Sequence, residues 1–285
     1  MQKPLSMLSV LLLIGALSGC AGLRSAGKLP PITQEVSEAK HVGKFVWFDL
    51  LTEQADAAES FYGSLFGWTF DSDSMPPDYS LIRLGDVPIG GIVNIRDKLS
   101  ESEALWLGSL SVASVDRTTR VSRDLGGEVI DGPVDVVGRG RMAVVRDPTG
   151  AAFVALASAT GDPPDTVPPI GAWLWTDLIT NDGATAQAFY AEIVGYKVQE
   201  ITTEDGDIYQ VVGRDSRARA GIVEVNWTEV DSNWLPYVRV SDVSATIKQA
   251  EALGGRLLLR IDDAAMLMDP TGAVVGIQRY GKEEK

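Results

Sequence analysis

The chain contains itself twice. Trp47-Phe-Asp-Leu-Leu-Thr-Glu-Gln-Ala-Asp-Ala-Ala-Glu-Ser-Phe-Tyr62 returns as Trp175-Thr-Asp-Leu-Ile-Thr-Asn-Asp-Gly-Ala-Thr-Ala-Gln-Ala-Phe-Tyr190, with 7 of 16 positions identical. An internal repeat constrains a fold strongly, because each copy must solve the same packing problem. The register holds at 128 residues for Trp47 and Trp175, Phe61 and Phe189, Trp106 and Trp234, and Leu125-Gly-Gly127 and Leu253-Gly-Gly255. It falls to 122 at Asp147-Pro-Thr-Gly150 and Asp269-Pro-Thr-Gly272, so six residues are missing from the second copy. The first copy fills that space with Asp131-Gly-Pro-Val-Asp-Val-Val-Gly-Arg-Gly-Arg141.

Within a copy the pattern is strand, helix and three strands, done twice. Phe45–Leu51 alternates as a strand. Ala58, Phe61, Tyr62 and Leu65 fall at helical spacing, with Thr52 as the expected cap and Gly67 as the stop. Tyr79–Leu84 and Val87–Ile95 read as a hairpin joined at Gly85-Asp86. The unit then restarts. Leu105–Val112 is a strand and Val115–Leu125 a helix. Glu128–Ile130, Arg141–Arg146 and Ala152–Leu156 are strands, the last two joined by the Asp-Pro-Thr-Gly turn.

Composition bounds what such a chain can do. Its 285 residues suit about two domains. A net charge of −14, with no Lys/Arg-rich cluster, argues against nucleic acid as a partner. There is one cysteine, Cys20, and one histidine, His41. Intrachain disulfides are excluded, and thiol–imidazole catalysis and His-rich metal sites lose their parts.

Residues 1–19 read as a secretion signal, with Lys3 before an apolar run from Leu8 to Ala16 that is too short to span a bilayer comfortably. Leu17-Ser-Gly-Cys20 resembles the bacterial lipobox, which implies lipidation at Cys20. Ala21 at the next position points by the same resemblance to the outer membrane, facing the periplasm. Residues 20–41 read as a lipid-anchored tether, 42–157 and 171–281 as the two domains, and 158–170 as a Pro-rich linker. His41, beside the tether, reads as a surface residue.

Paired βαβββ units, a helix ending in Phe-Tyr before Gly-Trp or Gly-Tyr, Trp-x-Asp-Leu in the first strand and a late Asp-Pro-Thr-Gly-Ala resemble the vicinal oxygen chelate superfamily. That is the glyoxalase, bleomycin-resistance and extradiol dioxygenase fold. The resemblance covers about residues 43–281. It implies an α+β fold of four βαβββ units, paired into two domains with concave mixed sheets. Its metal-dependent members place a histidine on the first strand and a glutamate on the last. Those positions fall here on Trp47 and Trp175, and on Val154 and Gly276. In the second unit of each domain the first-strand position falls near Leu107 and Leu235. None is a metal ligand, so neither a metal nor another cofactor is expected. Because single-domain members dimerise to build their sites, the covalent repeat implies a monomer.

Alternation along the first strand puts Trp47 and Asp49, and likewise Trp175 and Asp177, on the face that would line the concavity. An aspartate there would have a raised pKa and could bind a cation or act as an acid–base group. The alternative is structural, with each aspartate bonded to a loop or to an arginine such as Arg239. Glu224 and Tyr237 are further ligand-binding candidates, Trp106 and Trp234 are core or pocket aromatics, and Gly138-Arg-Gly-Arg141 is an anion clamp or a surface loop. No Ser/His/Asp set, P-loop or dinucleotide fingerprint occurs. Three functions follow: a metal-free small-molecule binder in the concave sheet, an acid–base enzyme using Asp49 or Asp177, or a scaffold lipoprotein.

Overall fold

The computed structural model describes residues 28–95, 104–202, 208–226 and 231–281. The signal segment, Cys20 and the first part of the tether lie outside the described residues. No helix among the described residues is long and apolar enough to cross a membrane.

The first unit runs β1 (Phe45–Thr52), α1 (Ala55–Phe66), β2 (Thr69–Asp71), β3 (Tyr79–Leu84) and β4 (Val87–Asn94). The second runs β5 (Leu105–Ser111), α2 (Val115–Asp124), β6 (Glu128–Val136), β7 (Gly140–Arg146) and β8 (Ala152–Ser158). The repeat gives β9 (Trp173–Thr180), α3 (Gly183–Val194), β10 (Lys197–Thr202), β11 (Ile208–Arg214) and β12 (Arg217–Glu224). It ends with β13 (Asn233–Arg239), α4 (Val243–Ala252), β14 (Arg256–Ile261), β15 (Ala264–Met268) and β16 (Val274–Gln278). Each half is one eight-stranded mixed sheet. The orders are β2-β3-β4-β1-β5-β8-β7-β6 and β10-β11-β12-β9-β13-β16-β15-β14.

Local chemistry sets these elements with one departure from expectation. Gly67 and Gly195 end α1 and α3 in the left-handed conformation, where an L side chain would be strained. Thr52 does not cap α1. Its hydroxyl accepts from the Gln54 amide, ahead of the helix, and Gln54 holds the cap position without a side-chain bond. At α3, by contrast, Asp182 caps through the Thr185 amide at 3.0 Å. The Asp-Pro-Thr-Gly turns are held by their aspartates. Asp147 Oδ1 accepts from the Thr149 amide, the Thr149 hydroxyl and the Ala151 amide, and Asp269 repeats this set.

The two sheets meet through their helical faces. Gln249 of α4 donates to the Ser64 carbonyl of α1, and Arg117 of α2 to the Glu192 carbonyl of α3. One apolar core results, shared by both halves, with Phe61, Tyr62, Phe189 and Tyr190 at its centre. Trp106 and Trp234 lie in this core rather than in a pocket. Their indoles donate to Tyr62 at 3.0 Å and Tyr190 at 2.7 Å. Burying one such ring contributes roughly 1.5–3 kcal/mol. With the helical faces joined, the opposite face of each sheet is left to the concavity.

Parts of the tether and linker stretches make specific contacts with the two halves. In the tether stretch, residues 28–41 pack on the first half. Leu29 and Ile32 are buried in the same apolar cluster as Trp47 and Leu51, and the Leu29 amide donates to Val137 O. Their apolar side chains at a three-residue spacing are the reason. The linker stretch is pinned by Asp165, which meets Lys44 at 3.2 Å and Arg219 at 2.7 Å. Burial pushes the Asp165 carboxyl up, but these two cations outweigh it and hold it well below the usual carboxylate range. His41 lies 3.6 Å from Asp165, and its amide donates to Asp162.

Candidate ligand-binding site

On the free face of β9, Trp175, Asp177 and Ile179 alternate with residues turned to the core. The Trp175 indole N–H is shared between Asp177 Oδ1 at 2.9 Å and the Tyr209 hydroxyl oxygen at 2.8 Å. Tyr209 donates in turn to Asp177 Oδ1 at 2.6 Å. The Tyr237 hydroxyl, from β13, also faces Asp177. Two glycines make this possible. A Cβ at Gly221 would overlap both the Tyr209 hydroxyl and an Asp177 oxygen, and one at Gly276 would overlap the Tyr237 ring.

Burial pushes the Asp177 carboxyl above its ordinary pKa, against the pull of the Tyr209 and Trp175 hydrogen bonds and the facing Tyr237 hydroxyl. The Tyr209 and Tyr237 hydroxyls are pushed up as well, first by burial and then by the Asp177 charge. Asp177 itself is only 6% exposed, yet Trp175 and Tyr209 around it keep partly open surfaces. Around the cluster stand Val223, Met266 and Val274. Farther out, Ile201 pairs with Tyr209 across β10 and β11, and Ile261 with Ala264 across β14 and β15. These two isoleucines are 44% and 58% exposed. The face is a shallow apolar concavity with a polar cluster at its floor, and a dent of about 20 Å³ lies beside Tyr237.

The first sheet carries the twin cluster in a different state. Trp47 Nε1 and the Tyr79 hydroxyl both donate to Asp49 Oδ1 at 2.9 Å. Above them lies Arg139, 1% exposed, with its guanidinium carbon 4.2 Å from the Trp47 ring centroid. It donates to Tyr79 at 3.2 Å and to the Pro30 carbonyl at 2.9 Å, and reaches to 3.9 Å from Asp49 Oδ2. Residues 28–32 close over it, and Trp47 is 1% exposed. Gly138 lets them approach, since a Cβ there would overlap the Leu29 carbonyl. The Gly138–Arg141 loop is therefore not an anion clamp. Arg139 turns inward, and Arg141 forks onto Asp116 with both bonds at 2.7 Å. A larger cleft of about 270 Å³ opens on the first sheet beside this covering strap, among Pro30, Pro31, Met75 and Leu81, and neither aspartate lines it.

Among the candidates read from sequence, Trp175, Asp177 and Tyr237 come together, as do Trp47 and Asp49 in the covered twin. Glu224 does not join them. It is exposed on the opposite face of β12 from Val223 and accepts from the Gly183 amide at the start of α3. Arg239 is not the partner of Asp177; it donates to the Pro168 and Tyr280 carbonyls. Tyr79 and Tyr209 were not legible as twins, because they are separated by 130 residues rather than 128. The signal that finds them is the glycine each requires opposite, Gly91 and Gly221.

The residues do not fit a divalent metal. Trp175 offers a donor, while Leu235 and Gly276 offer no side-chain ligand. No group of three or more His, Cys, Asp or Glu side chains able to hold a metal occurs among the described residues.

No profile of a described protein family matches the chain. Individual relatives do. It is 31% identical over 248 residues to the "Putative glyoxylase CFP32" of Mycobacterium tuberculosis, covering 84% of this chain and 95% of that one. It is 30% identical over 251 residues to the anthracycline biosynthesis protein DauV of a Streptomyces species, covering 81% and 91%. The Mn(II)-bound glyoxalase of Novosphingobium aromaticivorans shares the fold with a TM-score of 0.58 at 13% identity, covering 84% and 83%. The chain is a two-domain member of the vicinal oxygen chelate superfamily. The 2,3-dioxygenase LapB of a Pseudomonas species, with a TM-score of 0.57 at 12% identity, covers 86% of this superfamily member and 94% of its own chain. At such identities the structural neighbours speak for the fold alone, and a fold does not fix a function.

Proposed function

We propose that the protein is an envelope lipoprotein, anchored through Cys20, that binds a small molecule without a metal on the concave face of its second sheet. The observation that carries this reading is the asymmetry between the twins. One chain holds the same Trp-Asp-Tyr cluster twice, and the indole is sealed in the first sheet but partly open in the second, although Asp177 lies deeper than Asp49. An open apolar concavity with a few convergent polar groups is the usual form of a ligand site. Exposed Ile201 and Ile261 supply apolar area, while Asp177, Trp175 and the two tyrosines fix orientation.

A metal-free acid–base reaction is the second reading. The upward shift of Asp177 favours it, because a carboxyl poised above its usual range can hand over a proton. The oxygens of Asp177 already face three donors within the protein, and this favours binding over proton transfer.

Tryptophan fluorescence tests the proposal. A panel of planar apolar compounds should include an anthracycline, because the Streptomyces relatives are named for anthracycline biosynthesis. Saturable quenching is expected, weakened by Asp177→Ala and unaffected by Asp49→Ala. Silence across the panel would sink the reading. Cys20→Ala should release the protein from the membrane fraction, and continued membrane association would refute the anchor.

A further inference from the structure

The covered twin shows what its cluster is built to hold. In the first sheet the Trp47–Asp49–Tyr79 cage contains a planar cation. The Arg139 guanidinium stacks on the indole at 4.2 Å, bonds the phenol at 3.2 Å and faces the carboxylate at 3.9 Å. An indole face is the best aromatic seat for a guanidinium. Arg139 is one of the residues in the stretch that the second copy has shortened by six positions. The second cage therefore keeps the walls and has no arginine of its own. Among the described residues, the one cation seated over an aromatic ring is Arg139 on Trp47.

Resting on the binding role assigned above to the second sheet, we infer that its Trp175–Asp177–Tyr209 cage takes a ligand carrying a guanidinium or similar planar cation. Arg139 is the built-in counterpart of that ligand in the first sheet.

Tyr237 does not fill the vacated place. It comes from the sheet itself, from β13, and its ring lies over Gly276, where the first sheet has Ser109 and Val154. A phenol also brings no positive charge to balance Asp177. The Trp175 ring consequently stays partly open, whereas Trp47, under Arg139 and residues 28–32, is sealed. The surroundings specify the rest of the ligand. Beyond Tyr237, Val274, Met266 and the exposed Ile261 offer an apolar path from the cage toward the β14 edge of the sheet. An apolar body attached to the cation would lie along it, as the Arg139 stem lies among the side chains of the first concavity. A free small molecule fits better than a protein arginine, because no described segment covers this face as residues 28–32 cover the first.

The test is a pair of isosteres. Hexylguanidinium and hexylurea share a planar shape and the same tail, but the urea is neutral and carries a carbonyl oxygen in place of one NH2 donor. Each is titrated at low millimolar concentration into the full-length protein, with binding read by tryptophan fluorescence and calorimetry. Hexylguanidinium should bind at least tenfold more tightly than hexylurea. Asp177→Asn and Trp175→Leu should each reduce that preference to near one, while Asp49→Asn leaves it unchanged. If Asp177→Asn does not fold, Trp175→Leu carries the same readout. Equal binding of the two probes would overturn the cation assignment while leaving the site itself standing. Silence from both probes, together with silence across the planar panel, would remove the site as well. A preference abolished by Asp49→Asn instead of Asp177→Asn would place the cation in the wrong sheet and refute the inference.

Discussion

Tyr190 donates its hydroxyl proton to Asp147 Oδ2 at 2.9 Å, although the two residues belong to different sheets. The same hydroxyl accepts from Trp234 at 2.7 Å. Asp147 is thus shared between its own turn and the helix of the other half. The other half has a looser counterpart: Asp269 lies near enough to the Tyr62 hydroxyl of the first half to push its pKa up, but its buried Oδ2 accepts no hydrogen bond. The repeated Phe-Tyr and Asp-Pro-Thr-Gly motifs lock the halves to each other.

Tyr190→Phe should therefore weaken the whole molecule rather than one half. It leaves a buried indole N–H and a buried carboxylate oxygen short of a partner, a loss of about 1–3 kcal/mol. Urea unfolding should show one cooperative transition at a lower midpoint. An unchanged midpoint, or two separated transitions, would contradict an interlocked core.

Removing the cover of the first cage is a separate matter. Ile32→Ala deletes buried side-chain atoms from the cluster that holds Trp47 and should cost about 2 kcal/mol. It should also raise the quenching of tryptophan emission by acrylamide, as the strap loosens over the Trp47 indole. Lower stability without added quenching would mean that residues 28–32 do not seal the cage.

Asp177 and Asp165 should pull the pH dependence of stability in opposite directions. The native pKa of Asp177 lies above its unfolded value of about 3.9, so the native state holds this proton more tightly. Its contribution is complete below about pH 4 and is lost as pH rises through the native value. Asp165 is depressed in the native state, so its contribution stands above about pH 4 and is lost as pH falls toward its native value. Melting temperatures across pH should show the wild type gaining on Asp177→Asn toward acid and losing ground relative to Asp165→Asn. Parallel curves for wild type and Asp177→Asn would contradict the buried assignment of that carboxyl.

Much of the architecture was legible from residues alone. Strand and helix periods, the glycine stops and the paired turns depend on neighbours within a few positions, and a repeat doubles each signal. The Trp-x-Asp pairing on one strand face was legible for the same reason. Thr52 misled because its hydroxyl can bond an amide two residues on as readily as a helix end. Glu224 misled because strand parity alone does not say which face is concave. The Tyr79–Tyr209 pairing was hidden by a two-residue shift of register that only the sheet makes plain.

By itself, the sequence determined that there would be two such sheets and that each would carry a tryptophan and an aspartate side by side on one strand. It could not decide which of the two was open. Trp47 and Trp175 stand in nearly identical local contexts. What separates them is Arg139, 92 residues along the chain from Trp47, and Leu29, which precedes the first strand. Long-range packing sets Arg139 over Trp47 and Leu29 into the same buried cluster, and among the described residues the shortened second copy supplies no equivalent over Trp175.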